Sequence, residues 1–238
     1  MKRFLVAMMI VAALVPATSS AIPLLQLYIE GATYQASSQT WITTSNSFRL
    51  WVIANVSGPG GTGGVGINDV RLAAAFLTSE SGTISLTATT TGLVTDPSTP
   101  SAPSVMVGLG ADGTQPLMSD GGLLPTHGIY GAGTSFTQYS IGNMLSTDSP
   151  IADFGGPIYP GSFTANRAQI NAYDVVVTGY TQVHFDAFNH VVGETHSKFA
   201  PFSHDAGGTP TPEPGTVLLL GSGIFAAASA GFRRRKSR

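Results

Sequence analysis

Four of the five histidines fall late in the chain: His184, His190, His196 and His204, with Asp186, Glu194 and Asp205 beside them. Imidazole and carboxylate together suit zinc or another transition ion, which makes His184, Asp186, His190, His196 and His204 the candidate metal ligands. Strand alternation would put His184 and Asp186 on one face. Against a metal, the spacings match no fixed ligand pattern such as H-E-x-x-H. The competing reading makes that face the solvent side of a strand. On balance no metal and no other cofactor is expected.

Other fragments of chemistry are weaker. Gly61-Thr62-Gly63-Gly64-Val65-Gly66 fits G-x-G-x-x-G, but a dinucleotide site also needs a following helix and a parallel sheet. Here the surroundings are a glycine excess with Pro59, which predicts a flexible hairpin loop. Asp153-Phe154-Gly155 matches a kinase triplet without the phosphate loop and lysine that go with it, and reads as a turn. Neither G-x-S-x-G nor S-x-x-K occurs. The scattered carboxylates could form a glycosidase pair only if folding brought two together. Tyr28, Tyr34, Trp41 and Trp51 could stack on sugars, although strand aromatics serve more often as core or cross-strand partners.

The elements that must position these residues are strands. Leu25, Leu27 and Ile29 share one face, as do Phe48, Leu50, Val52 and Ala54, then Ile84, Leu86 and Ala88, and later Val183, Phe185 and Ala187. A period of two marks half-buried strands. Residues 174–180, with Val175-Val176-Val177, read as a more fully buried strand. Residues 68–78 alternate too, yet Ala73-Ala74-Ala75 would also tolerate helix. Clusters of Gly, Pro, Ser and Thr separate the runs at 57–66, 95–104, 110–133 and 143–161. Many short strands with such punctuation predict an all-β sandwich or jelly roll with long Gly/Pro loops. From 96 to 166 the pattern is poor, and long loops, short strands and a short helix near 140–145 are expected there.

Charge narrows the functions. Between residues 22 and 208, four bases (Arg49, Arg71, Arg167 and Lys198) stand against twelve acids, a net charge of about −8. Such a body offers no electrostatic footprint for nucleic acid. Cysteine is absent, which excludes disulfides and thiolate metal sites.

Both ends of the sequence are apolar segments with basic flanks. Met1-Lys2-Arg3 precedes an apolar run over 4–15, and Ser19-Ser20-Ala21 supplies small residues. That is a secretory signal peptide over 1–21, cut after Ala21, so that the mature chain would begin at Ile22. At the other end, a Pro/Thr hinge over 209–216 carries Pro212-Glu213-Pro214, and an uncharged run over 217–232 follows. The sequence closes with a basic tail over 233–238 that includes Arg233, Arg234, Arg235 and Lys236. As a helix the run would measure roughly 24 Å, short of a hydrocarbon core of about 30 Å. Snorkelling arginines and local thinning could close the gap, and the basic tail would stay on the cytoplasmic side. The prolines hold the hinge extended, since proline fixes φ and disfavours helix before it.

Taken together, Pro212-Glu213-Pro214, the Gly/Ala-rich apolar run and the arginine cluster resemble the PEP-CTERM sorting signal of Gram-negative bacteria. The resemblance implies that an exosortase, a membrane-embedded cysteine-dependent transpeptidase-like enzyme, recognises Pro212, Glu213 and Pro214 and removes the tail. The helix over 217–232 would then be a transient transmembrane stop. Residues 22–32 and 199–206 are similar to the edges of choice-of-anchor N proteins, a resemblance that implies a secreted surface domain and adds no site. Residues 22–208 are thus expected to be cargo exported by the secretion machinery to the envelope, surface or extracellular matrix. A structural or adhesive role is the leading expectation, with no catalysis. An extracellular polysaccharide-binding module is the first alternative and a secreted hydrolase the second.

Overall fold

A row of inward apolar side chains on one strand sets the frame. Phe48, Leu50, Val52 and Ala54 lie on β4 (Ser47–Ala54), whose neighbours are β1 (Leu25–Ile29) on one side and β10 (Thr164–Thr178) on the other. The computed structural model describes residues 25–35, 37–56, 66–91, 103–126, 129–152, 154, 164–189 and 205–208, with 164–167 and 205–208 described by backbone alone. Within them every regular element is a strand. The fold is all-β, as the alternation predicts.

The strands form two sheets. The first has β1-β4-β10-β6 in order, with β6 at Thr83–Thr89, and β9 (Ser149–Ile151) pairs with the start of β10. The second runs β2-β3-β12-β11-β5-β8-β7. Its members are β2 (Thr33–Gln35), β3 (Thr40–Thr43), β12 (Asp205–Gly208), β11 (Val183–Asn189), β5 (Ile67–Leu77), β8 (Thr134–Met144) and β7 (Val105–Gly110). All pairings are antiparallel except β3 with β12. Facing rows from the two sheets share one core: Leu27, Leu50, Val52, Tyr173 and Val175 from the first, and Val70, Leu72, Ala74, Phe185 and Ala187 from the second. Burying such rows is what drives two half-apolar sheets together.

Several expectations change. Residues 140–144 continue strand β8 and Leu145 follows its end, so no helix forms there: Tyr139 and Ile141 both enter the core, one on either side of Ser140. What obscured the alternation is a bulge opposite Val70, where Gly142 takes φ +88°, a conformation costly for other residues. Residues 68–78 resolve as strand β5. The run Asp174 to Thr178 is half-buried, since Val175 and Val177 face the core while Val176 is 41% exposed. β4 and β5 belong to different sheets, so the connection between them crosses from sheet to sheet and no hairpin joins them.

The signal peptide over 1–21, the glycine-rich motif at 61–66 apart from Gly66, the hinge, the apolar run over 217–232 and the basic tail all lie outside the described residues. Among the described residues no helix is long and apolar enough to cross a membrane.

Candidate functional site

Each sheet has an outer face, and chain outside its long strands, including the short strand β9 on the first, covers part of both. The two covers use different chemistry, and together they hold the polar and aromatic groups singled out above.

On the second sheet, Val183, Phe185 and Ala187 point into the core, so His184, Asp186 and Phe188 point outward. This confirms that His184 and Asp186 share a face. That face, however, is buried rather than solvent-exposed. The strand next to it places Ala75 opposite His184 and Ala73 opposite Asp186. Two alanines leave a shallow floor, and the segment between β7 and β8 settles onto it. Leu124, Tyr130 and Phe136 pack there with Ala73, Ala75 and Phe188.

Tyr130 donates its hydroxyl to Asp186 Oδ2 at 2.6 Å, and His184 Nε2 lies 3.4 Å from Asp186 Oδ1. Ser119 Oγ of the same cover donates to Asn189 Oδ1 at 3.3 Å. A buried carboxylate is tolerable only with such partners. Here two of them come from one loop and one strand, so Asp186 ties cover to sheet. His184 also lines a cavity of about 160 Å³ with Ala75, Phe76, Ile129, Thr134 and Gln182. A histidine oriented by a carboxylate has the elements of a proton-transfer pair, and a tyrosine hydroxyl completes a short relay.

As a metal centre the cluster is incomplete. Among the described residues no group of three or more His, Cys, Asp or Glu side chains could hold an ion. His190, His196 and His204 lie outside the described residues, so the structure brings together only His184 and Asp186 from that set.

On the first sheet the outward residues of β1 and β4 include Gln26, Tyr28, Trp51 and Ile53, and Ile151, Ala152 and Phe154 pack over them. Tyr28 meets the rings of Trp41 and Trp51 edge-on at 5.0 and 5.1 Å, and Phe154 at 5.4 Å. Trp41 Nε1 donates to the Phe154 carbonyl at 2.6 Å. Gln26 clamps the same strip twice, donating Nε2 to Ala152 O at 3.1 Å and accepting the Phe154 amide at 2.9 Å. Burial raises the phenol of Tyr28, an effect opposed by the Gly31 amide that donates to its oxygen and reinforced by the nearby Glu30 charge.

Three of the four aromatic candidates for sugar stacking are therefore interior. Tyr28, Trp41 and Trp51 are buried against Phe154, and Tyr34 alone keeps partial exposure. Phe154 of the kinase-like triplet is a core anchor.

Two participants were not visible in the sequence. Tyr130 sits in a glycine-rich stretch read as turns, where an Ile129-Tyr130 pair is the one hint of an anchor. Gln26 looked like the polar half of an ordinary alternation.

Comparison with known proteins bears on the other end of the chain. Residues 210–236 match the PEP-CTERM protein-sorting motif, and the match includes Pro212, Glu213 and Pro214. It supports an exported protein that an exosortase recognises and that reaches the cell envelope through a membrane intermediate. The match does not extend to the body, and the resemblance to choice-of-anchor N proteins gains nothing from it. No curated protein matches the chain. Among solved structures, the N-terminal domain of the Streptococcus gordonii adhesin Sgo0707 aligns with 81% of this chain at 9% identity and a TM-score of 0.29. The aligned part is 33% of that protein's chain, and a score so low does not establish a shared fold.

Proposed function

We propose that this is a non-catalytic, structural or adhesive protein of the cell surface or extracellular matrix, built as a two-sheet sandwich and delivered by its tail. The signal peptide over 1–21 starts export of the body over 22–208. The apolar run over 217–232 stops in the membrane with Arg233, Arg234, Arg235 and Lys236 inside. Pro212, Glu213 and Pro214 then present an extended backbone to the exosortase. The observation that carries this reading is the sorting-motif match over 210–236. The covers on both sheets fit it, because they spend aromatic, amide and ionisable groups on holding loops down. The test is a triple change, Pro212→Ala with Glu213→Ala and Pro214→Ala, followed by fractionation of the producing cells. Unprocessed chain should accumulate in the inner membrane. Wild-type distribution and size would overturn the proposal.

A second reading has one specific observation in its favour. A groove of about 500 Å³ runs beside β2 and β3, lined by Thr33, Tyr34, Gln35, Thr43 and Thr44 among others. Hydroxyls, an amide and one part-exposed ring suit a neutral saccharide. Retention on the producer's own extracellular polysaccharide, weakened by Tyr34→Ala, would promote this reading; absence of retention would end it.

A further inference from the structure

The sorting motif leaves the body from the interior of a sheet. The match begins at residue 210, two residues after β12 ends at Gly208, and β12 lies between β3 and β11. Gly208 pairs with Thr43 at the end of β3 and with Val183 at the start of β11. The tail therefore departs at one end of the sandwich. The same end carries three connections between the sheets: 44–46 from β3 to β4, 78–82 from β5 to β6, and 179–182 from β10 to β11. Thr134 at the start of β8 lies there too, opposite Leu77.

This end is firmly built. A Cβ added at Gly82 would fall 2.1 Å from Thr178 O, and one at Gly179 would fall 2.3 Å from Ser81 O, so two of the turns press on each other. Asn46 O accepts the Val177 amide at 2.8 Å. The end also turns no bare carboxylate outward. Across residues 43–46, 78–82, 111–113, 131–133 and 179–182 the only charged side chains are Glu80 and Asp112. Glu80 accepts the Thr181 amide at 3.0 Å and the Thr181 hydroxyl. Asp112 Oδ1 accepts Thr78 Oγ1 at 2.9 Å and the Gly133 amide at 2.7 Å. A charge that already has hydrogen-bond partners is less costly to bring toward a medium of low dielectric.

We infer that, while the apolar run over 217–232 holds the chain in the membrane, the body stands with this end toward the lipid headgroups and its opposite end, at Ala54 and Met144, pointing away. The inference rests on the membrane stop proposed above. Chain length sets the closeness. Only residues 209–216 separate Gly208 from the run, and they span about 25 Å at polyproline spacing. Prolines set the direction. Pro210, Pro212 and Pro214 each bias the preceding residue toward extended backbone. The hinge is thus a semi-rigid spacer that prolongs the line of β12. Strand β5, with 11 residues, gives the body a length of about 35 Å along that line. An exosortase must then reach Pro212, Glu213 and Pro214 in the narrow gap beneath this end.

The sequence has no cysteine, so single-cysteine variants can carry one dye each. Ser79→Cys lies at the tail end and Thr147→Cys at the opposite end, both at exposed positions. The chain would be purified from a secreting host without an exosortase, so that it keeps its tail, and reconstituted in phosphatidylethanolamine–phosphatidylglycerol vesicles. Energy transfer to acceptor dyes on the headgroups should be at least about threefold stronger from position 79 than from 147, given about 35 Å between the ends. A flexible Gly/Ser insert of about twenty residues after Gly208 should largely erase the difference. Equal or inverted transfer in a chain that stays with the vesicles through alkaline extraction would overturn the orientation alone. So would a difference that survives the flexible insert. A chain washed off the vesicles would overturn the membrane stop and the orientation with it.

Discussion

The two covered outer faces make an informative pair. Both solve the same problem: an apolar sheet face must not stay open to water. On the first sheet the cover over 149–154 is held by stacked rings and by the uncharged amide of Gln26. On the second the cover is held through Asp186, with Tyr130 and His184. The first arrangement titrates only through the Tyr28 phenol, which burial raises, and depends mainly on volume. The second depends on one buried acid and its partners. A protein that needs only a shut box can use rings alone, so the ionisable trio is where chemistry would be sought first, and the ring box is where stability would be.

The largest expected effect tests the ring box. Phe154→Ala removes a ring that touches Tyr28 and Trp51, and should cost about 3–5 kcal/mol in urea unfolding. A loss under about 1 kcal/mol would mean that the strip over 149–154 is not a load on the fold.

Next in size is a control in the core between the faces. Tyr139 donates to Ile84 O at 2.8 Å, and burial, helped by nearby Tyr180, pushes its phenol up to about 12. The unfolded phenol titrates near 10. Below that value both states are neutral and the bond's stability is fully present. Between about 10 and 12 the unfolded chain releases the proton first, so stability falls with rising pH, by about 2–3 kcal/mol in all. Tyr139→Phe should flatten this alkaline limb; an unchanged limb would place the titration elsewhere, with Tyr173, also raised by burial, the next candidate.

The smallest effect sharpens the contrast between the faces. Tyr130→Phe removes the hydroxyl from Asp186 and should cost about 1.5–3 kcal/mol. Amide exchange should rise across 112–133 and stay unchanged over 149–154. Equal loosening of both covers would show that they open as one unit.

How much of this was legible follows from the side chains. Strands whose inward rows are wholly apolar, such as Leu25-Leu27-Ile29 and Val183-Phe185-Ala187, were readable from alternation. β8 and the first half of β10 were not, because their inward rows carry Gln169 and Asn171 or are broken by a bulge at Gly142, whereas the run from Asp174 in the second half of β10 was read as strand. Gln169 is inward for a local reason: its Oε1 accepts the amides of Leu145 and Ser146 at 2.8 and 2.9 Å. The shared face of His184 and Asp186 followed from alternation. Its burial did not, since that requires a cover more than fifty residues earlier in the chain to find two alanines. The tail was legible because its meaning lies in the order of its parts and needs no tertiary contact.

The most direct test of the central claim is the intact mass of the protein recovered separately from the envelope and from the medium. Delivery by the tail predicts a chain that starts at Ile22 and lacks residues 217–238. A single species in every fraction with the mass of all 238 residues would contradict it.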